Sequence, residues 1–169
     1  MNRKLFGSGL GIFSLGIAGV LGAARAETLE EKEVRETFSA FADAVKAKDA
    51  QMIWKLLDKE SQMAAARAAR SVLATYDKAN AEEKAKLEKA LGLSGVELGK
   101  LTGEGFLKTK GFHGKYHEVH GSKIDTITVQ DKRATVNYTE EDGDKEKLRM
   151  IFQDGKWKVS APMPPVPQL

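Results

Sequence analysis

All three histidines of the chain fall in one short stretch, His113-Gly114-Lys115-Tyr116-His117-Glu118-Val119-His120. On a helix their spacings of four and three would bring the rings to one face, an arrangement that can hold a metal ion through imidazole nitrogens. Gly111, Gly114 and Gly121 surround them, with Tyr116 and Val119 between, and this composition argues for strand or loop instead. In a strand His113 and His117 share a face and His120 points away. No cysteine adds a soft ligand, so the sequence predicts neither a metal nor a cofactor.

Asp125 is the other candidate for chemistry. Strand alternation puts it with Ile127 and Val129, on the face assigned to the interior, and His117 joins that face if the pairing runs without a bulge. A carboxylate or imidazole held against an apolar cavity becomes a general base, because desolvation raises a carboxyl pKa. The alternative is a bulge at Gly121-Ser122 that slips the register and leaves Asp125 at a solvated rim. Trp54, Tyr76, Phe106, Phe112 and Tyr138, with His117, are the candidate lining of a ligand cavity, and Trp157 is a further aromatic of this kind. At helical or strand spacing all of these aromatics also fit plain core. No Ser-His-Asp constellation, phosphate loop or zinc signature is present.

The elements that must position these residues are legible in order. Thr28-Leu29-Glu30-Glu31 is a capping box, and Val34, Phe38, Phe41 and Val45 follow at helical spacing. Asp49 caps a short helix with Ile53, Trp54, Leu56 and Leu57. Ser61 starts a third helix reaching Tyr76, with the small residues Ala64, Ala65 and Ala66 suited to close packing. Asn80 starts a fourth that stops at Gly92, and Ser94-Gly95-Val96-Glu97 is another capping box. Phe106 to Phe112 reads as a helical turn or irregular chain, and Tyr116 onward as the first strand. Further strands follow at Ile124–Val129, at Ala134, Val136 and Tyr138, at Leu148, Met150 and Phe152, and at Trp157 and Val159. Asp142-Gly143 and Asp154-Gly155 are hairpin-turn dipeptides.

Helices followed by a strand meander resemble the nuclear-transport-factor-two-like superfamily, the SnoaL-like or cystatin-like α+β cone folds. The resemblance covers Glu33 to Ser160. Its most specific pieces are Asp154-Gly155-Lys156-Trp157-Lys158-Val159 and Ile127-x-Val129 leading to Ala134-x-Val136. The helices between Ser61 and Leu101 exceed the family's short third helix. The resemblance implies N-terminal helices packed on a curved antiparallel meander, and it implies no single activity, because the fold hosts isomerases, dehydratases, transport factors and catalytically empty binding domains.

The ends and the composition set the compartment. Met1-Asn2-Arg3-Lys4, the uncharged run Leu5–Gly22 and Ala24-Arg25-Ala26 read as a secretory signal over residues 1–26, cleaved after Ala26. One domain then spans 27–160, and 161–169 is a Pro-rich tail expected to fray. Of 27 Lys and Arg the signal holds Arg3, Lys4 and Arg25 and none of the 24 Asp and Glu, so the mature chain is formally neutral. It carries no basic surplus for nucleic acid. Without cysteines the core alone must hold the fold.

The sequence therefore reads as an exported, periplasmic or secreted, non-catalytic domain that binds a small apolar or amphipathic ligand, or an exported protein partner, in a cone-shaped cavity. An isomerase- or dehydratase-like enzyme using Asp125 or His117 as base is the second reading, and a purely structural accessory domain acting through its sheet face or tail is the third. A continuous closed core would favour the third. The outward strand positions are mostly polar, so a monomer or weak dimer is expected, with no stable membrane insertion after cleavage.

Overall fold

The computed structural model describes residues 26–167. The signal reading lies outside the described residues except for Ala26. No described helix is long and apolar enough to cross a membrane. The chain is α+β: helices first, then a four-stranded antiparallel sheet in the order β1-β2-β3-β4 that does not close on itself.

Helix α1 (Leu29–Lys46) begins at the Thr28 capping box, whose hydroxyl and the Glu31 carboxylate satisfy each other's backbone amides. It buries Val34, Phe38, Phe41 and Val45. Helix α2 (Ala50–Leu56) is capped by Asp49. Helix α3 (Lys59–Lys78) is capped by Asp58 and not by Ser61. Ser61 lies three residues further on, buried, and its hydroxyl accepts a hydrogen bond from the Ala161 amide at 2.9 Å. Helix α4 (Ala81–Leu91) ends at Gly92, which takes φ +70°, a left-handed conformation that glycine adopts without a Cβ penalty. Three short helices follow, α5 (Gly95–Leu98), α6 (Gly103–Phe106) and α7 (Lys110–Tyr116). Helix α6 packs against α3. A Cβ on Gly103 would stand 2.9 Å from Trp54 Cη2 and 3.0 Å from the Ala66 backbone, so glycine sets that approach.

The segment after Tyr116 differs from the strand expected there. Residues His117–Val119 form a turn of 3-10 helix continuing α7, because Thr109 caps α7 through the Phe112 amide and Phe112, Tyr116 and Val119 share the buried side. The sheet starts later, with β1 (Lys123–Gln130), β2 (Arg133–Thr139), β3 (Lys145–Gln153) and β4 (Lys156–Ser160). Asp154 and Gly155 both take positive φ, 53° and 77°, the requirement of a tight hairpin between twisted strands.

Helix α1 packs on the inner sheet face against β1, β2 and β4. Phe38 meets Tyr138 at 5.3 Å between ring centroids. Val136, Leu148, Met150 and Val159 are buried between the layers. Trp157 faces inward as its alternation dictates, 5% exposed, with its ring 5.5 Å from Phe152. Its indole Nε1 is buried and has no hydrogen-bond partner among the described residues. This core is continuous from α1 to α7.

The tail differs from its expectation as far as it is described. Ala161 and Pro164 are buried, Met163 and Val166 pack on the core, and the Tyr116 hydroxyl donates to the Pro162 carbonyl at 2.8 Å. Ala161, Met163, Pro164 and Val166 supply apolar contacts, and the Pro162 carbonyl has its hydrogen bond.

Candidate functional site

Strand register sorts the outer face of the sheet into rows. Thr128, Thr135, Arg149 and Ser160 stand opposite one another across β1 to β4. Gln130, Arg133, Ile151 and Lys158 form the next row. Both rows are the polar halves of strands whose other halves are core, so their placement follows from the two-residue period. The face is cationic: Lys123, Arg133, Lys145, Lys147, Arg149 and Lys158 share it, and the acid nearest them on β1 is Asp125, at the strand irregularity.

The start of α3 rises beside these rows. A single parallel bridge joins Leu57 to Val159, and the Asp58 amide donates to the Val159 carbonyl at 3.0 Å. The Asp58 carboxylate accepts from the Ser61 amide at 2.7 Å and from the Ser160 hydroxyl. Helix start and strand end are thereby fastened into one corner, and the outer edge of β4 is paired at Val159. On α3, Glu60, Ala64 and Arg67 recur at spacings of four and three and line the space beside the sheet.

The result is an open cleft of about 670 Å³ between α3, the outer sheet face and Ala161-Pro162. Its cations are Arg67, Arg133 and Arg149. None of these guanidinium groups makes an ion pair or side-chain hydrogen bond among the described residues. Thr128, Thr135, Ser160 and Gln130 add neutral donors and acceptors, and Ala64, Ile151, Ala161 and Pro162 add apolar wall. The arrangement can take an anion at one end and hydrocarbon along the rest.

The residues singled out by the sequence do not converge here. Phe106 and Phe112 are fully buried core. Tyr138 is buried against Phe38, and burial pushes its hydroxyl pKa upward. Trp54 is half-buried beside Gly103. The Tyr76 hydroxyl donates to Glu88 at 2.8 Å, and that bond raises its pKa. The core takes up Phe106, Phe112 and Tyr138, and none of these aromatics lines the cleft beside α3.

His117 is exposed on the 3-10 turn, its Nε2 3.1 Å from the Glu118 carboxylate. It does not share a strand face with Asp125, since it is not in a strand. Asp125 is exposed and not interior: the register shifts between Ile124 and Thr126, so Ile124, Ile127 and Val129 face inward and the Asp125 carboxylate accepts from the Thr139 hydroxyl at 2.7 Å. The bulge lies at Asp125 itself, not at Gly121-Ser122. His120 Nδ1 is 3.9 Å from Asp43, and partial burial followed by the Lys48 charge lowers the His113 pKa. The three rings turn to different neighbours.

One carboxylate group stands apart. Oxygens of Glu118, Glu140 and Asp142 lie within 4.8 Å of one another. Burial first, and then the hydrogen bond and charge of Glu118, push the Glu140 carboxyl up to about 7.

Sequence reasoning missed Arg67 and Arg133 and took Arg149 only as a polar outward position. A signal existed in Lys145-x-Lys147-x-Arg149 and Lys156-x-Lys158, which alternation places on one face; that Arg67 joins them has no local signal. In comparisons with known proteins, the chain matches no family model, no curated protein and no solved structure.

Proposed function

We propose that the chain is an exported, non-catalytic binding domain of the nuclear-transport-factor-two-like kind, its sheet curved as an open cone, and that it holds a small amphipathic ligand. The observation that carries this reading is the cleft of about 670 Å³ with mixed apolar and polar walls, within the range of about 300–1,000 Å³ typical of small-molecule sites. The space between helices and sheet is filled by Phe41, Val136, Leu148 and their neighbours, which moves the ligand from the cone interior to the outer face. The basic start, apolar run and Ala24-x-Ala26 support export. Binding is favoured over general-base chemistry because Asp125 and His117 are both exposed and lie on separate elements, with no apolar cavity around either among the described residues. The continuous core also suits the accessory-domain reading, with a protein partner on the same sheet face.

Native mass spectrometry of protein purified from its own source tests the reading. A retained small molecule released on denaturation is expected. Protein that sprays at bare chain mass, and whose melting point no amphiphile raises, would overturn it.

A further inference from the structure

We infer that the ligand of this cleft carries an anionic head, a carboxylate or phosphate, and that Arg67, Arg133 and Arg149 hold it. The inference rests on the cleft being the ligand site. Its ground is a charge arrangement that the fold leaves uncompensated. Arg133 stands opposite Ile151 on β3 and Gln130 on β1, while Arg149 stands opposite Thr135 and Ser160. Neither has a carboxylate across the strand, although opposite charges at such positions stabilise a sheet and like charges weaken it. The two are diagonal neighbours on one face, a separation of roughly 7–8 Å that one oxyanion between them can bridge.

Arg67 enters the same cleft from α3, a separate element. Of the acids lining the cleft, Asp58 is buried and its carboxylate is already bonded to the Ser61 amide and Ser160 hydroxyl. Glu60 remains, one turn before Ala64 and two before Arg67 on α3. The cleft is thus left with more guanidinium than carboxylate. Its cations are all arginine, although lysines surround it on the sheet, and the planar guanidinium fork matches carboxylate and phosphate oxygens in pairs. Thr128 and Thr135 supply hydroxyls in the row of Arg149. Ala64, Ile151 and Pro162 leave apolar surface beside the head for a short hydrocarbon chain.

Two other occupants fit less well. A second copy related by a two-fold axis would set arginines against arginines. A nucleic acid would find no aromatic side chain on the outer rows on which to stack a base.

The test is calorimetric titration of the chain with decanoate, decyl phosphate and decanol, each below its micellar concentration. The comparison proteins are the double variant Arg133→Gln/Arg149→Gln and the single variant Lys145→Gln. Lys145 is cationic and on the same sheet face but outside the cleft. Thermal melts confirm that each variant is folded. At least one acid is expected to bind about tenfold or more tightly than decanol, in keeping with hydrogen bonds to charged groups. That preference should vanish in the double variant and survive in Lys145→Gln, and the two acids separate carboxylate from phosphate. Equal affinity for all three probes would overturn the anionic head while leaving the cleft as a ligand site. A preference retained in the double variant, or lost equally in Lys145→Gln, would overturn the assignment to the arginines. Failure of every probe to bind would overturn the binding reading itself.

Discussion

The inner and outer faces of the sheet are built from alternate residues of the same four strands, yet they solve opposite problems. The inner face carries Val136, Tyr138, Leu148, Met150, Trp157 and Val159, all buried against the helices. Each removes apolar surface from water, and the gain is local to the residue. The outer face carries lysines and arginines with hydroxyls between them, and among the described residues no ion pair neutralises Arg133 or Arg149. The first face is what makes the chain fold. The second stores unfavourable charge proximity in a place that costs little because water and salt screen it, and it is therefore free to serve binding.

The contrast is sharpest in a truncation of each face. Trp157→Ala should lose about 3–5 kcal/mol, the usual cost of a large aromatic removed from a packed core, read as a shifted urea midpoint. Asn137→Ala on the outer face, which loses one hydrogen bond to Thr126, should move the midpoint only slightly. Equal effects would mean that the last strand does not close the core.

A smaller effect is expected where the two faces meet, at the α3 corner. Asp58→Ala removes the helix cap and the acceptor of the Ser160 hydroxyl, and should cost about 0.5–2 kcal/mol. Hydrogen exchange should rise at the first turn of α3 and the end of β4 together. Exchange confined to the helix would separate corner from sheet.

Acid pairing gives a third effect, at the far end of β2. The Glu140 carboxyl is raised to about 7 in the folded chain from an ordinary 4.5. Between those values the folded chain holds a proton that the unfolded chain has released. The stability this site provides is therefore full at low pH and is lost as pH rises through 7. Glu140→Gln should flatten that part of the pH–stability curve and raise stability at pH 8. An unchanged curve would remove Glu140 as its source.

The smallest expected change is in stability of the outer face itself. Arg133→Gln and Arg149→Gln should each shift the melting point little, within about 0.5 kcal/mol in either direction, as for exposed substitutions. Added salt should narrow the difference further. A loss of several kcal/mol would show that the guanidinium groups hold the fold and would break the contrast between the faces.

Some of this molecule was settled within a few residues of sequence. The capping boxes at Thr28, Asn80 and Ser94 close hydrogen bonds between neighbours three apart, Gly92 ends its helix at positive φ, and Asp154-Gly155 turns its hairpin. Two-residue alternation fixed which side of β2, β3 and β4 meets the core, because successive side chains on a pleated strand must point opposite ways. The α+β order of elements followed from these local facts. Tertiary structure decided the rest. His117 is helical because Phe112, Tyr116 and Val119 find a common core, and glycine content could not reveal that. Asp125 is exposed because β1 must bulge for Ile124 and Ile127 both to face inward against β2. Ser61 bonds Ala161 instead of capping its helix, and Asp58 ties the helix start to Ser160, each across about 100 residues of chain. That Arg67 lines one cleft with Arg133 and Arg149 follows from where this corner sets α3, and separations of this length carry no periodicity from which a sequence can be read.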